Sequence, residues 1–246
     1  MLSNRNEGVQ LQREYYTETA HVYENMHQHE GSGDPVGNKF VQSILRMVEA
    51  RSVLDVGTAT GRSLSELRVA MPDGYLCAIE PVKALLDNAA VRASETRAFL
   101  VQGDGAALPF GDKSFDAVCE FSVLHHVPAP NIVVREMIRV AKRAVLISDS
   151  NRFGQGSLAA RWIKLGLHKS GLWSSYNRLR TFGKGYRVTE GDGISYSYSI
   201  YDSLDLLSDW ADHLILCSDA GSGSKCTFHP LLTSQAILVC ALKLNS

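Results

Sequence analysis

Val53-Leu54-Asp55-Val56-Gly57-Thr58-Ala59-Thr60-Gly61-Arg62-Ser63 is the stretch on which the reading of this chain turns. Two apolar residues lead to Asp55, and Gly57, Ala59 and Gly61 then make a small-residue turn. From Arg62 onward, with Leu64, Leu67 and Arg68, the pattern continues as a helix. Strand, small-residue loop and helix is the layout that brings backbone N–H groups against a nucleotide-like ligand. Small residues serve there because a Cβ would hold the ligand away from the backbone. Spacing then separates the ligand classes. A P-loop needs Lys-Ser/Thr directly after its last glycine, whereas Gly61 is followed by Arg62-Ser63. A dinucleotide fingerprint starting at Gly57 needs a small residue at position 62, which is arginine. What remains is acidic-x-Gly-x-small-x-Gly.

On either side of this loop the chain alternates between strand and helix. Strands are predicted at Ser52–Val56, Tyr75–Ile79, Ala98–Gln102, Phe115–Phe121 and Ala144–Ser148, with helices at Arg62–Ala70, Val82–Ser94 and Asn131–Val140. That order indicates a parallel sheet with helices on both faces. Ser203–Ala211 reads as a further helix. His213–Ser218 and Gln235–Leu242 follow as strands with no helix between them, around a flexible Gly221-Ser222-Gly223-Ser224 loop, so they pair antiparallel. In an open parallel sheet, ligands bind beyond the carboxyl ends of the strands. Three acids fall at three such ends: Asp55, Glu80 and Asp104. Glu80 suits a grip on two ribose hydroxyls, where a charged hydrogen bond contributes roughly 1.5–3 kcal/mol. Asp104 is placed to accept from an adenine amino group, Asp55 to orient the loop and favour a ligand's ammonium, and Phe121 to line the pocket.

The motifs after the loop resemble a known family. Gly103-Asp104-Gly105-Ala106-Ala107-Leu108-Pro109-Phe110, Ser114-Phe115-Asp116-Ala117-Val118, Val123-Leu124-His125-His126-Val127 and Arg139-Val140 follow the "type 11" pattern of class I S-adenosylmethionine (SAM)-dependent methyltransferases. The acidic-x-Gly-x-small-x-Gly loop resembles motif I of the same class, with Ala59 where the family usually has glycine. The resemblance covers roughly residues 50–150. It departs at Ala141-Lys142-Arg143, where the family often has Lys-Pro-Gly-Gly. It implies a Rossmann-like α/β fold of seven strands, mostly parallel with an antiparallel last strand. It also implies SAM as cofactor, held by Asp55, Gly57, Thr58, Ala59, Gly61, Glu80, Pro81, Asp104, Gly105 and Phe121. The expected reaction is methyl transfer to a small-molecule acceptor, most plausibly at oxygen. The sulfonium methyl is already activated, so orientation of the nucleophile supplies most of the rate, about 7–11 kcal/mol. An aliphatic hydroxyl would gain a further 10²–10⁴-fold from a general base. His125 and His126 lie where such a base would stand, with a structural or pocket-lining role as the alternative. No metal is expected: His21, His27 and His29 have no accompanying Cys and match no common site spacing.

Composition sets the frame for the rest. The chain has 246 residues, 45% hydrophobic and 21% charged, which suits one globular methyltransferase domain over 1–246. No apolar run is long enough to span a membrane, the N-terminus lacks a signal-peptide core, and no C-x-x-C pair indicates zinc or a disulfide framework. A cytoplasmic protein is the simplest expectation. Residues 1–50 read as a helical lid, in which Tyr15, Tyr16 and Tyr23 are candidate substrate contacts and Gly31-Ser32-Gly33-Asp34-Pro35 is a loop. Residues 151–200 read as a helical cap insert. Net charge is −1, yet Asn151–Thr189 holds eight basic residues and no acid. This basic segment is a solvated cap face, a site for an anionic or carrier-linked acceptor, or a membrane-surface contact through Leu, Trp and basic side chains. Nucleic acid is not expected, because the basic residues are confined to one short segment. Two other functions compete: an NAD-linked oxidoreductase, disfavoured by Arg62, and a non-catalytic SAM-binding scaffold.

Overall fold

The computed structural model describes residues 2–27, 35–189, 191–218 and 230–244. His29, the Gly31–Asp34 part of the expected loop and the Gly221–Ser224 loop lie outside the described residues. The chain opens with α1 (Leu2–Thr19), α2 (Tyr23–Met26) and α3 (Pro35–Met47). The alternating region follows: β1 (Ser52–Val56), α4 (Leu64–Ala70), β2 (Tyr75–Glu80), α5 (Lys83–Thr96), β3 (Ala98–Gln102), β4 (Phe115–Phe121), α6 (Pro130–Val140) and β5 (Ala141–Ser150). The insert contributes α7 (Leu158–Lys169), α8 (Trp173–Arg180), β6 (Tyr186–Thr189) and β7 (Gly193–Tyr196). The chain ends with α9 (Leu204–Trp210), β8 (His213–Ser218), α10 (Pro230–Thr233) and β9 (Ala236–Leu242).

The seven-stranded sheet has the order β3-β2-β1-β4-β5-β9-β8. β1 to β5 pair in parallel, and β9 runs antiparallel to both β5 and β8. Successive side chains leave a strand on opposite faces, so the apolar runs feed two cores. On one face Leu54, Val56, Val118, Val145, Ile147 and Val239 pack with Met137 of α6 and Leu207 of α9. On the other, Val53, Leu76, Ala117, Leu146 and Leu238 pack with Leu45 of α3 and Leu64 and Leu67 of α4. Helices thus cover both faces, as the βαβ order requires. α3 belongs to the second core, so only α1 and α2 of the first fifty residues lie over the strand tips.

The insert carries the expected helices as α7 and α8, and it adds a two-stranded hairpin in which β6 pairs with β7. Tyr186, Val188, Thr189 and Ile194 are β-formers, and Gly191-Asp192-Gly193 supplies the turn. The hairpin folds back onto α1: the Ile194 N–H donates to Gln12 Oε1 at 2.5 Å, and the Gly191 N–H donates to the Tyr15 hydroxyl at 3.0 Å.

Candidate active site

The small-residue loop is built for close packing. Gly57 and Gly61 sit at φ +76° and +80°, in the left-handed region that glycine occupies without steric cost. A Cβ on Gly57 would lie 2.5 Å from Val123 Cγ2, so the turn after β4 also demands glycine there. Ala59 is left-handed too, at φ +48°, which places an alanine in a conformation suited to the glycine the family usually carries. Three loop amides are engaged inside the protein. The Gly57 and Thr58 N–H groups donate to the Ile79 carbonyl at 2.8 and 3.2 Å, and the Ala59 N–H donates to Glu80 Oε2 at 3.0 Å. Asp55 is buried beneath the loop and accepts from the Ser63 hydroxyl at 2.5 Å, tying the loop's exit to β1. Burial pushes its carboxyl upward, and the Ser63 hydrogen bond opposes this.

Glu80, at the tip of β2, is also buried. Its Oε1 accepts from the Val82 N–H across Pro81 at 2.9 Å. Burial raises the carboxyl to about 7, against the pull of its two backbone donors. Asp104, past the end of β3, accepts from the Ala106 N–H at 2.8 Å and from Arg13 of α1 at 2.6 Å. Arg13 also lowers the Glu80 pKa. Gly105 packs where a Cβ would approach Val56 and Val133 at 3.1 and 3.2 Å. Phe121 is half-buried against the second core.

Beyond β4, Leu124–His126 makes a single 3₁₀ turn that aims two imidazoles at the same space. His125 Nδ1 lies 2.8 Å from Asp149 Oδ1, and Asp149 is buried near the end of β5. Burial alone would lower the His125 pKa, but Asp149 and then Asp192 raise it well above the usual imidazole range. Asp149 also accepts from the Leu124 N–H at 2.7 Å and the Ser150 N–H at 2.5 Å. Its neighbour Glu120, buried in β4, is pushed well above the carboxylate range by burial and by Asp149. His126 Nδ1 lies 2.6 Å from the Ile194 carbonyl, and its Nε2 lies 3.1 Å from Asp192 and 3.3 Å from the Tyr16 hydroxyl. Burial, then Asp192, raises the Tyr16 pKa, and Tyr23 and Glu80 add to it. Tyr23 packs edge-on to Tyr16 and stacks on His27.

Of the residues expected at the site, α1 bonds Asp104 through Arg13 and reaches His126 through Gln12 and Tyr16, whereas Asp55 lies beneath the loop and Phe121 against the second core. Glu120, Asp149, Asp192, Gln12 and Arg13 were not anticipated from sequence. The rule that found acids at the ends of β1, β2 and β3 extends to Asp149 in β5. Asp192 carried no signal until the hairpin was known.

Comparison with known proteins agrees with this fold. The profile of the type 11 family, described as "Methyltransferase domain", matches residues 54–147. Demethylmenaquinone methyltransferases of Roseiflexus sp. (strain RS-1) and Roseiflexus castenholzii are 38% and 39% identical over 89 residues. Those matches span 36% of this chain and 37% of the relatives' own length. Among solved structures, magnesium protoporphyrin IX methyltransferase from Synechocystis, with bound SAM, superposes over 94% of each chain at TM-score 0.56 and 14% identity. A SAM-dependent methyltransferase from Thermotoga maritima aligns over 93% of this chain and 97% of its own, at TM-score 0.53 and 16% identity.

Proposed function

We propose that the chain is a class I SAM-dependent methyltransferase and that it methylates a small hydroxylated acceptor at oxygen. One observation carries the reading: α1 bonds Asp104 through Arg13, reaches His126 through Tyr16, and shares an apolar cluster with Ala59, whose N–H Glu80 holds. The donor set suits an adenosyl sulfonium. Carboxylates only accept hydrogen bonds, as ribose hydroxyls and an adenine amino group require, and their charge favours a cation. Glu80 spends one lone pair of each oxygen on backbone and keeps the rest for hydroxyls. SAM supplies an activated methyl when bound. The protein's own part is to orient the acceptor oxygen at the histidine end and to exclude water there with Tyr16 and the hairpin.

The acceptor we infer is a ring compound presented from an anionic membrane surface. The Roseiflexus relatives are named for demethylmenaquinone, which supports a ring acceptor but not the choice of oxygen. The insert supports the same class. α7 buries none of its residues, and Trp162, Leu179 and Phe182 are 61%, 80% and 94% exposed. Lys169, Arg178, Lys184 and Arg187 are exposed beside them. Apolar side chains among basic ones are what an interfacial helix presents to anionic lipid. No described helix is long and apolar enough to cross a membrane. Radiolabelled SAM incubated with the chain and a panel of quinols and phenols, with and without phosphatidylglycerol vesicles, tests the reading. Label on an acceptor oxygen, with His126→Ala abolishing turnover but retaining SAM binding, is the expected result. A chain that binds no SAM, or methylates carbon or nitrogen, refutes it.

A further inference from the structure

Both rings of the histidine pair turn Nδ1 toward the protein and Nε2 toward the cleft. The Ile194 carbonyl, 2.6 Å from His126 Nδ1, can only accept, so that nitrogen carries the hydrogen. Asp149 Oδ1, 2.8 Å from His125 Nδ1, imposes the same tautomer on its neighbour. Two Nε2 atoms are left facing one carboxylate. Asp192 Oδ1 lies 3.1 Å from His126 Nε2, and Oδ2 lies 3.7 Å from His125 Nε2. One ligand atom from each of the three residues can be chosen so that all lie within 4.8 Å of one another. Nitrogen atoms and a carboxylate converge in this way only with positive charge between them, carried by a proton on an imidazole or by a metal ion.

We propose that this charge is a divalent transition-metal ion of the zinc type, held by His125 Nε2, His126 Nε2 and Asp192. The arrangement has the features that distinguish metal-binding histidines from core ones. Ligating imidazoles donate their other N–H to a carboxylate or a backbone carbonyl, which fixes tautomer and ring orientation, and here one does each. Two imidazoles and one carboxylate suit Zn²⁺ or its first-row neighbours, whereas Mg²⁺ and Ca²⁺ take all-oxygen shells. Metal–ligand bonds of about 2.0–2.2 Å in a tetrahedron put neighbouring ligand atoms roughly 3.3 Å apart. The two distances to Asp192 bracket that value. The Tyr16 hydroxyl, 3.3 Å from His126 Nε2, adjoins the remaining coordination positions. Three protein ligands and an open position is the composition of a catalytic zinc site. Such an ion would polarise a coordinated hydroxyl; that use rests on the methyl-transfer reading, whereas the site itself rests on geometry. Asp192 comes from the insert and the histidines from the sheet's edge, so the ion would also staple the hairpin to the domain.

The full chain, stripped with chelator, is titrated with Zn²⁺ alone by calorimetry against a competing chromophoric chelator. One equivalent should bind with micromolar or tighter affinity and raise the melting temperature, since a ligand of the native state stabilises it. Co²⁺ should give the visible bands of a four- or five-coordinate nitrogen–oxygen site. Asp192→Asn, on the hairpin turn where a fold defect is least expected, should weaken binding at least thirtyfold. Asp149→Asn, which alters the buried partner that orients His125 and also holds the Leu124 and Ser150 N–H groups, should weaken it 10–100-fold. His21→Ala should leave it unchanged. Absent or millimolar binding, or an Asp192→Asn variant within threefold of the parent, overturns the proposal. S-adenosylhomocysteine binding measured on the same samples separates that failure from failure of the methyltransferase reading.

Discussion

Replacing Glu80 by glutamine tests the cofactor end of the site. Each oxygen of the buried carboxylate holds one backbone N–H, Oε1 from Val82 at 2.9 Å and Oε2 from Ala59 at 3.0 Å. Ribose hydroxyls would add charge-assisted hydrogen bonds worth roughly 1.5–3 kcal/mol each. Glutamine removes the charge and turns an NH₂ group toward one of those N–H donors. The loss of one such bond corresponds to roughly 10–150-fold weaker binding, at 1.4 kcal/mol per factor of ten. The pH dependence is a separate signature. Burial raises the Glu80 carboxyl to about 7 in the free chain. Below that pH the carboxyl is protonated and cannot accept through both oxygens. Affinity for S-adenosylhomocysteine should therefore fall as pH drops from 8 to 6 in the parent, and stay flat in Glu80→Gln. Stability carries the opposite sign. A carboxyl whose folded pKa lies above its unfolded value binds its proton more tightly when folded. The free chain therefore loses stability as pH rises from about 4.5 to about 7, by at most about 3 kcal/mol. Calorimetric titration at pH 6 and 8 reads the first effect, and urea melts across the same range read the second. A variant that binds within twofold of the parent at pH 8 would remove Glu80 from the cofactor site.

Three further outcomes follow from the geometry. Ala59→Gly should relieve a left-handed alanine worth roughly 1–2 kcal/mol, less about 0.4–1 kcal/mol of added chain entropy; the melting temperature should rise by about 2 °C, and a fall would contradict this. Gly57→Ala adds a Cβ 2.5 Å from Val123 at φ +76°, so strain and overpacking together should cost roughly 2–5 kcal/mol in a urea melt; a loss under 1 kcal/mol would show that the turn after β4 yields. Leu179→Ser with Phe182→Ser removes two exposed apolar side chains and should reduce co-flotation with phosphatidylglycerol vesicles at least tenfold without lowering the melting temperature; unchanged flotation would discard the docking surface.

The sheet was legible because parallel strands buried on both faces read as unbroken apolar runs that end in polar residues or glycine. β3, β4 and β8 have the bounds their sequences suggested, since each ends abruptly in loop residues. β5 starts three residues earlier than its apolar run. Lys142 and Arg143 extend it because their charges reach beyond the sheet, to Asp116 and to the Val48 carbonyl. The cofactor-side acids were legible for a related reason. Parallel strands deliver their carboxyl ends to one edge, so strand-end residues converge whatever the loops do. No such rule covers Asp192. It reaches His126 across 66 positions in sequence, through a hairpin whose docking is set by Gln12 and Tyr15 of α1.

That docking gives the first helix a double role. Gln12, Arg13 and Tyr16 follow one another at helical spacing, and they serve both ends of the site. Arg13 bonds Asp104 at the cofactor end. Gln12 and Tyr16 hold the hairpin and His126 at the acceptor end. The Arg13–Asp104 pair is about half exposed on each side, and exposed pairs of this kind are worth about 1 kcal/mol or less. The contacts to the hairpin are buried and therefore stronger, because their groups would otherwise be left unpaired away from water. Arg13 is not the helix's only hold at that end, because Ala20 is buried against Val82 and Leu85, with Tyr16 and Ala59 packed on the same cluster. Removing Arg13 alone should therefore leave α1 seated, whereas loss of Gln12 would leave the Ile194 N–H without its acceptor.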